Sequence, residues 1–307
     1  MKKVLITGAS GMVGTRLSQL LLERGYEVNT LGRSPAAPGA QGTTFFKWDV
    51  DAGKMDERAL DGVSAIIHLA GANIAEKRWT KSRKQEILDS RVNSAQMIYH
   101  SLKKKKHSVE SFISASAVGY YGDCGDELVT EDRKPAKDFL AVVCEKWEEE
   151  AIRIGSLGIR EVRCRNGIVL SKDGGALPAL VKGIRMGMAG YFNKPKLYYP
   201  WIHIDDICGF MIHAMEHKKV SGAYNTTAPH SVLMKELIRE ILRVTKSKAV
   251  MIPAPSFLVE LALGELSSML LCSQRCSAEK ILSTGFTFEY PKIGGALEEV
   301  LGKKHSS

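Results

Sequence analysis

The chain has 307 residues, 44% hydrophobic and 25% charged, which excludes a collagenous, mucin-like or disordered polymer and leaves room for one large domain or two modest ones. Lys and Arg number 43 against 34 Asp and Glu, a formal charge of +9, so the natural partner of the surface as a whole is an anion. No run approaches the ~20 apolar residues that span a bilayer, and the opening Met1-Lys2-Lys3-Val4-Leu5-Ile6-Thr7-Gly8 turns glycine-rich too early for a secretory leader, so a cytoplasmic protein is expected.

Val4-Leu5-Ile6-Thr7 is a short apolar run, Gly8-Ala9-Ser10-Gly11-Met12-Val13-Gly14 is a glycine turn, and Leu17, Leu20 and Leu21 recur at helical spacing, which predicts strand, turn and helix. Further strands are expected at 27–31, 44–48, 65–70, 111–116 and 160–164, with helices over 84–102 and 138–154. This alternation over ~165 residues predicts an α/β fold with a doubly wound parallel sheet, covered by helices on both faces. The run Lys103-Lys104-Lys105-Lys106 reads as a solvated loop. After Gly167 the pattern is broken by Gly174, Gly175, Gly183, Gly187, Gly190 and Pro195. The expected division is therefore a cofactor domain over 1–167 and a smaller, mostly helical substrate-side domain over 168–307, with helices near 234–244 and 257–271. Part of 200–230 is expected to return to the first domain. Six scattered cysteines, of which only Cys272 and Cys276 are close, lack zinc spacing and read as reduced thiols; no metal is expected.

The glycine turn is the strongest chemical signal. Gly8, Gly11 and Gly14 follow a strand and open a helix, where the absence of side chains lets a pyrophosphate reach backbone N–H groups at the positive helix terminus. The spacing Gly-x-x-Gly-x-x-Gly differs from the older dinucleotide fingerprint, but its strand-turn-helix setting favours cofactor binding over a merely tight turn. At the end of the second strand, where an acid would bond the ribose 2′-OH of NAD, the chain reads Leu31-Gly32-Arg33-Ser34; an arginine there suits a 2′-phosphate, and NADP is the expected cofactor.

Together with His68-Leu69-Ala70-Gly71, Ser114-Ala115-Ser116 and Trp201-Ile202-His203-Ile204-Asp205-Asp206, these residues resemble the extended short-chain dehydrogenase/reductase superfamily, whose cofactor domain is of the Rossmann type. More narrowly, Arg78-Trp79, the 87–92 segment, Gly119-Tyr120-Tyr121-Gly122-Asp123, Lys146-Trp147-Glu148 and Pro200-Trp201-Ile202-His203 resemble its atypical "epimerase family protein" branch, which ends in a domain of unknown function similar to residues 253–301. The resemblance implies that Ser10, Gly11 and Met12 lie along the pyrophosphate and that Gly32 and Arg33 lie at the adenosine ribose. It places His68, Leu69, Ala70 and Gly71 past the adenosine side, Ser114 and Ala115 behind the nicotinamide ribose, and Asn166 and Gly167 at the nicotinamide end.

Catalysis departs from the superfamily pattern of a serine followed by Tyr-x-x-x-Lys. Ser116 stands at the serine position, but alignment on Glu148 puts Leu140 in place of tyrosine and Cys144 in place of lysine. The literal Tyr99-x-x-x-Lys103 precedes the serine strand and reads as chance, and Lys146 is expected to point away from the site. Tyr120 and Tyr121 remain as acids, with a packed aromatic corner as the equal alternative. Arg91, on the inward stripe of its helix, either pairs with a buried acid or replaces the missing lysine at the cofactor, and the second is favoured.

The basic segment Lys77, Arg78, Lys81, Arg83 and Lys84 would steer an anion or simply be solvated. His203, Asp205 and Asp206 read as structural, with Asp205 capping a helix, and Asp123 and Asp126 as turn residues. Two functions follow: an NADP-dependent oxidoreductase or epimerase acting on a small sugar-like or anionic substrate with Ser116 and Tyr120 or Tyr121 handling protons, or an NADPH-binding protein without turnover. Neither nucleic acid nor membrane is expected as a partner, and a second copy of the chain is the one macromolecular partner left open.

Overall fold

The computed structural model describes residues 2–34 and 42–302. Its first half runs β1 (Lys3–Thr7), α1 (Met12–Glu23), β2 (Glu27–Gly32), β3 (Thr44–Asp49), β4 (Lys54–Met55), β5 (Val63–His68), α2 (Lys81–Lys104), β6 (Ser111–Ala117), β7 (Leu128–Val129), α3 (Phe139–Gly155) and β8 (Arg160–Asn166). The second half runs β9 (Ile168–Leu170), α4 (Leu177–Arg185), β10 (Met188–Phe192), β11 (Tyr198–Tyr199), β12 (Trp201–His203), α5 (Ile204–Glu216), β13 (Gly222–Thr226), β14 (Val232–Leu233), α6 (Met234–Thr245), β15 (Val250–Ala254), α7 (Ser256–Leu263), α8 (Ser267–Leu271), β16 (Arg275–Cys276), α9 (Glu279–Leu282) and α10 (Ile293–Leu301).

Eight strands form one sheet in the order β13-β8-β6-β5-β1-β2-β3-β4, parallel throughout except for the short β4, which turns back on β3. β1 lies between β5 and β2, with Ile6 opposite Ile67 on one side and Thr30 on the other, and it is apolar on both faces because helices cover both sides of the sheet. From β1 the chain builds outward through β2 and β3, then returns to build on the other side through β5, β6 and β8. Strand order thus reverses between β1 and β5, and in an open α/β sheet a crevice forms at the carboxyl ends of the strands at such a point.

Leu17 and Leu21 of α1 pack with Phe210 and Met211 of α5 on one face of the sheet; Ile98 and Leu102 of α2 pack with Ala151 and Ile154 of α3 on the other. Each such buried side chain contributes roughly 1.5–3 kcal/mol. A second core gathers α4, α6 and α10 around Trp201. From this region the chain comes back to lay β13 against β8, extending the large sheet at its edge.

The expected strand at 65–70 ends at His68, because the N–H groups of Leu69 and Ala70 turn to the Thr7 hydroxyl. The expected helix over 257–271 is two helices separated by a 3₁₀ turn (Gly264–Leu266), since Gly264 takes φ = +59°, which a continuing right-handed helix does not allow. Among the described residues no helix is long and apolar enough to cross a membrane.

Candidate functional site

The glycine turn sits at the strand-order reversal, and its glycines divide the labour. Gly8 has φ = +71°, and a Cβ there would lie 2.8 Å from the Leu69 carbonyl carbon; a Cβ at Gly14 would lie 2.3 Å from the Gly8 oxygen. These two allow the turn to close on itself and on the end of β5. Gly11 meets only a 3.4 Å contact and forms the N-cap of α1, with no side-chain cap and no acid in the first turn. The helix therefore presents its positive end without an internal counter-charge. A glycine pair in the loop after β9 presses on this turn: a Cβ at Gly174 would come within 3.2 Å of the Met12 sulfur.

The predicted cofactor-binding residues do not all present side chains to the cleft. His68 is fully buried, with Nδ1 2.8 Å from the Thr7 hydroxyl and Nε2 3.3 Å from that of Ser94, its ring between Phe112 and Trp147. Burial, assisted by the Arg91 charge, pushes its pKa down to about 3, so its imidazole is a neutral core group. Ser114 is also buried, and its hydroxyl donates to the Ala115 carbonyl. Arg33 is exposed at the end of β2, where Glu86 feels its charge together with those of Arg83 and Lys77. At the far end, Asn166 closes β8, and its Oδ1 is buried without a hydrogen-bond partner among the described residues. The next residue, Gly167, allows the Pro200 carbonyl to approach where a Cβ would stand 2.6 Å away.

Among the described residues Arg91 forms no ion pair. Its Nη1 donates to the carbonyls of Ala72 at 3.1 Å and Ile87 at 3.0 Å, and the guanidinium carbon lies 4.9 Å from the Trp147 ring centre. A Cβ at Gly71 would meet the guanidinium at 3.0 Å, which gives that glycine a second purpose. Burial lowers the arginine pKa to about 10, still charged at neutral pH. Its charge reaches the Cys144 thiol, which stands at the lysine position and is itself pushed up to about 12 by burial. Leu140 and Cys144 form an apolar wall facing Gly119, while Lys146 points outward to Glu149 at 2.8 Å.

The proton-handling candidates separate. Ser116 is buried and donates to Glu148 at 2.8 Å; the same carboxylate accepts from Arg165 Nε at 2.8 Å and Nη2 at 2.9 Å, and from Arg163 at 3.4 Å. Arg165 Nη1 donates to the Tyr121 hydroxyl at 2.8 Å, and that hydroxyl donates to Asn225 Oδ1 at 2.6 Å. The Asn225 amide nitrogen serves the carbonyls of Val129 and Ser277, which fixes its orientation. Ser116 and Tyr121, two of the three proton-handling candidates, are thus hydrogen-bonded within a charged network of Glu148, Arg165 and Asn225. Tyr120 is different. Half-buried, it stacks under Arg165 with the guanidinium 3.7 Å from its ring centre, and its hydroxyl makes no hydrogen bond among the described residues.

Neither the Glu148–Arg165 pair nor the brace on this corner was legible as function in the sequence. Gln274 donates to the carbonyls of Val118 and Gly122, 156 and 152 residues away in the chain. Of the basic segment, Arg83 is buried against the Asn73 carbonyl, Glu76 and Glu86, and Lys84 pairs with Glu265, which leaves Lys77, Arg78 and Lys81 outside any ion pair among the described residues. The helix α5 is capped by His203, whose Nδ1 accepts from the Asp205 N–H at 3.1 Å, while Asp205 itself pairs with Arg16. Asp123 and Asp126 pair with Lys194 and Lys196 across the turn. Among the described residues no group of three or more His, Cys, Asp or Glu side chains is arranged to hold a metal.

The NAD dependent epimerase/dehydratase family profile matches residues 4–226, and a domain of unknown function, DUF1731, matches residues 254–300. The chain is 32% identical over 302 residues to the epimerase family protein YfhF of Bacillus subtilis, covering 98% of each. It superposes with a TM-score of 0.86 and 30% identity on the crystal structure of human epimerase family protein SDR39U1 with NADPH, covering 97% of this chain and 98% of that one. A UDP-glucose 4-epimerase from Thermus thermophilus, solved with NAD, shares the fold at a TM-score of 0.79 and 18% identity.

Proposed function

Because the chain belongs to the NAD dependent epimerase/dehydratase family, we propose that it binds NADP(H) across the carboxyl edge of its large sheet and acts as an oxidoreductase- or epimerase-like protein on a small sugar-like or anionic substrate. The carrying observation is the uncapped α1 terminus behind Gly11, framed by two glycines whose places no other residue can take. The buried Asn166 Oδ1 and Trp147 Nε1, both without hydrogen-bond partners among the described residues, fit a cleft completed by a polar ligand. The relative crystallised with NADPH supports the phosphorylated cofactor, as does Arg33.

In this reading Ser10, Gly11 and Met12 hold the pyrophosphate, Gly32 and Arg33 the phosphorylated ribose, and the backbone of Leu69, Ala70 and Gly71 the adenosine side. Ala115, Asn166 and Gly167 bound the nicotinamide end. Hydride transfer is the chemistry the cofactor supplies when bound. Arg91 offers a fixed positive charge beside Cys144, where the superfamily has a lysine, but it carries no titratable proton at neutral pH. Tyr120 is the one proton donor of the original set with an uncommitted hydroxyl.

A second reading, NADPH binding without turnover, is favoured by Leu140 and Cys144 in place of Tyr-x-x-x-Lys and by the commitment of Ser116 to Glu148. NADPH fluorescence titration followed by absorbance loss with carbonyl compounds and nucleotide sugars separates the two. Binding with oxidation that Tyr120→Phe abolishes supports the enzyme; binding without oxidation across the panel supports the second reading; absence of binding defeats both.

A further inference from the structure

The Tyr120 hydroxyl makes no hydrogen bond among the described residues, so the aim of its phenol is set by the stack on Arg165 and by the backbone that carries the ring. That backbone is a 3₁₀ turn (Val118–Tyr121) without a side-chain cap. The turn is held from the C-terminal region. Gln274, 7% exposed, uses both hydrogens of its amide here: Nε2 donates to the Val118 carbonyl at 3.1 Å and to the Gly122 carbonyl at 3.0 Å. These carbonyls stand on either side of Tyr120 in the chain, so one planar group fixes both ends of the turn. Gly122 adds a tight seat, since with φ = +64° its place for a Cβ lies 2.6 Å from the Ala136 Cβ.

Gln274 is itself anchored. Its N–H donates to the Tyr198 carbonyl at 3.2 Å; the fully buried Ser273 beside it donates its N–H to Asp123 at 3.0 Å, and its carbonyl accepts from the Cys124 N–H at 2.8 Å. β16 then runs parallel to β7, with Cys276 opposite Val129. Residues 273–276 thus bond both to the 123–129 segment and to Tyr198, and so tie the turn to the second half of the chain. The same region backs the turn a second time: Gly119 faces Leu140, and Leu140 packs in one apolar cluster with Leu263, Leu266 and Met269. We propose that Gln274 is a positioning residue for Tyr120, which gives the region matched by DUF1731 a task in the candidate site. The proposal rests on Tyr120 as the proton donor of the reading above. At a reacting group, about 1 Å of misplacement can cost about a hundred-fold in rate.

The test is fluorine NMR of the full chain carrying 3-fluorotyrosine, in which the Tyr120 line is the one absent from Tyr120→Phe. NADPH should shift this line in the wild type. Gln274→Met keeps the length of the side chain and removes both donors. It should move or broaden the Tyr120 line and abolish its response to NADPH, while the line of Tyr26, which is bonded to Glu216, stays in place. NADPH affinity by fluorescence should stay within about two-fold, as expected of separate sites, since the Gln274 side chain bonds none of the residues assigned to the cofactor. A role in stability alone would lower the melting temperature and leave the Tyr120 line where it is, which overturns the proposal. Gln274→Asn retains the amide one methylene short; it serves if Gln274→Met does not fold, and should move the line in the same way. Unfolding of both variants also overturns the proposal, because the amide would then hold the fold and not one turn. A wild-type Tyr120 line that ignores bound NADPH overturns instead the reading of Tyr120 as proton donor, and the proposal falls with it.

Discussion

Glu148→Gln tests the charged network behind β6. The carboxylate is 4% exposed, and its two oxygens receive two guanidinium N–H groups of Arg165 and the Ser116 hydroxyl, all at 2.8–2.9 Å. Glutamine nearly preserves the shape, but it accepts through one oxygen only and turns two N–H donors toward a guanidinium that accepts nothing. Arg165, 3% exposed, would then be a buried charge without a counter-charge. Breaking such a pair costs about 3–5 kcal/mol, a large share of the ~5–15 kcal/mol that holds a domain folded. With an unfolding entropy of about 2.1 cal/mol/K per residue over 307 residues, the melting temperature should fall by about 5–8 °C. Adding Arg165→Met removes the stranded charge and should recover at least half of the loss, a non-additivity expected of direct partners. Circular dichroism melts and urea titrations of the two single variants and the double variant provide the measurement. A fall below about 1 °C, or single effects that simply add, would show that the pair is not the desolvated unit described here.

Gly14→Ala places a Cβ 2.3 Å from the Gly8 oxygen, so the turn must open; NADPH affinity by fluorescence should drop at least about ten-fold. Arg91→Ala should weaken NADPH binding far more than it lowers the melting temperature, and unchanged affinity would return Arg91 to a purely structural role. His68 titrates near 3 when folded against 6.5 ordinarily, so the fold favours its neutral form. That contribution is complete above about pH 6.5 and is lost as pH falls toward 3, with roughly 2 kcal/mol gone by pH ~5. His68→Asn should flatten the slope of stability between pH ~6.5 and ~5, and an unchanged slope in urea titrations would refute the assignment.

By itself the sequence determined the alternation of strands and helices, because an apolar run such as 65–68, buried on both faces, and the helical spacing of Leu17 and Leu21 are local patterns that only a covered parallel sheet accommodates. It also determined the cofactor turn, since glycine is the one residue whose lack of a side chain is itself the signal, and the loss of Tyr-x-x-x-Lys, which is plain in the spelling of α3. What it could not determine is the use of a side chain once strands pair. Ser116 and Tyr120 read alike as candidates, yet the pleat turns Ser116 back onto Glu148, while Tyr120 is left under Arg165 with its hydroxyl uncommitted. On paper Arg91 offered a buried acid or the cofactor, and only the approach of α2 to Gly71 and Trp147 shows two carbonyls and an indole ring around it, with no acid paired to it among the described residues. The brace from Gln274, the cover on Met12 from Gly174, and the pairing of β10 with β15 all join segments far apart in the chain. Local periodicity carries no record of such meetings; they exist only once the sheet and its two cores have closed.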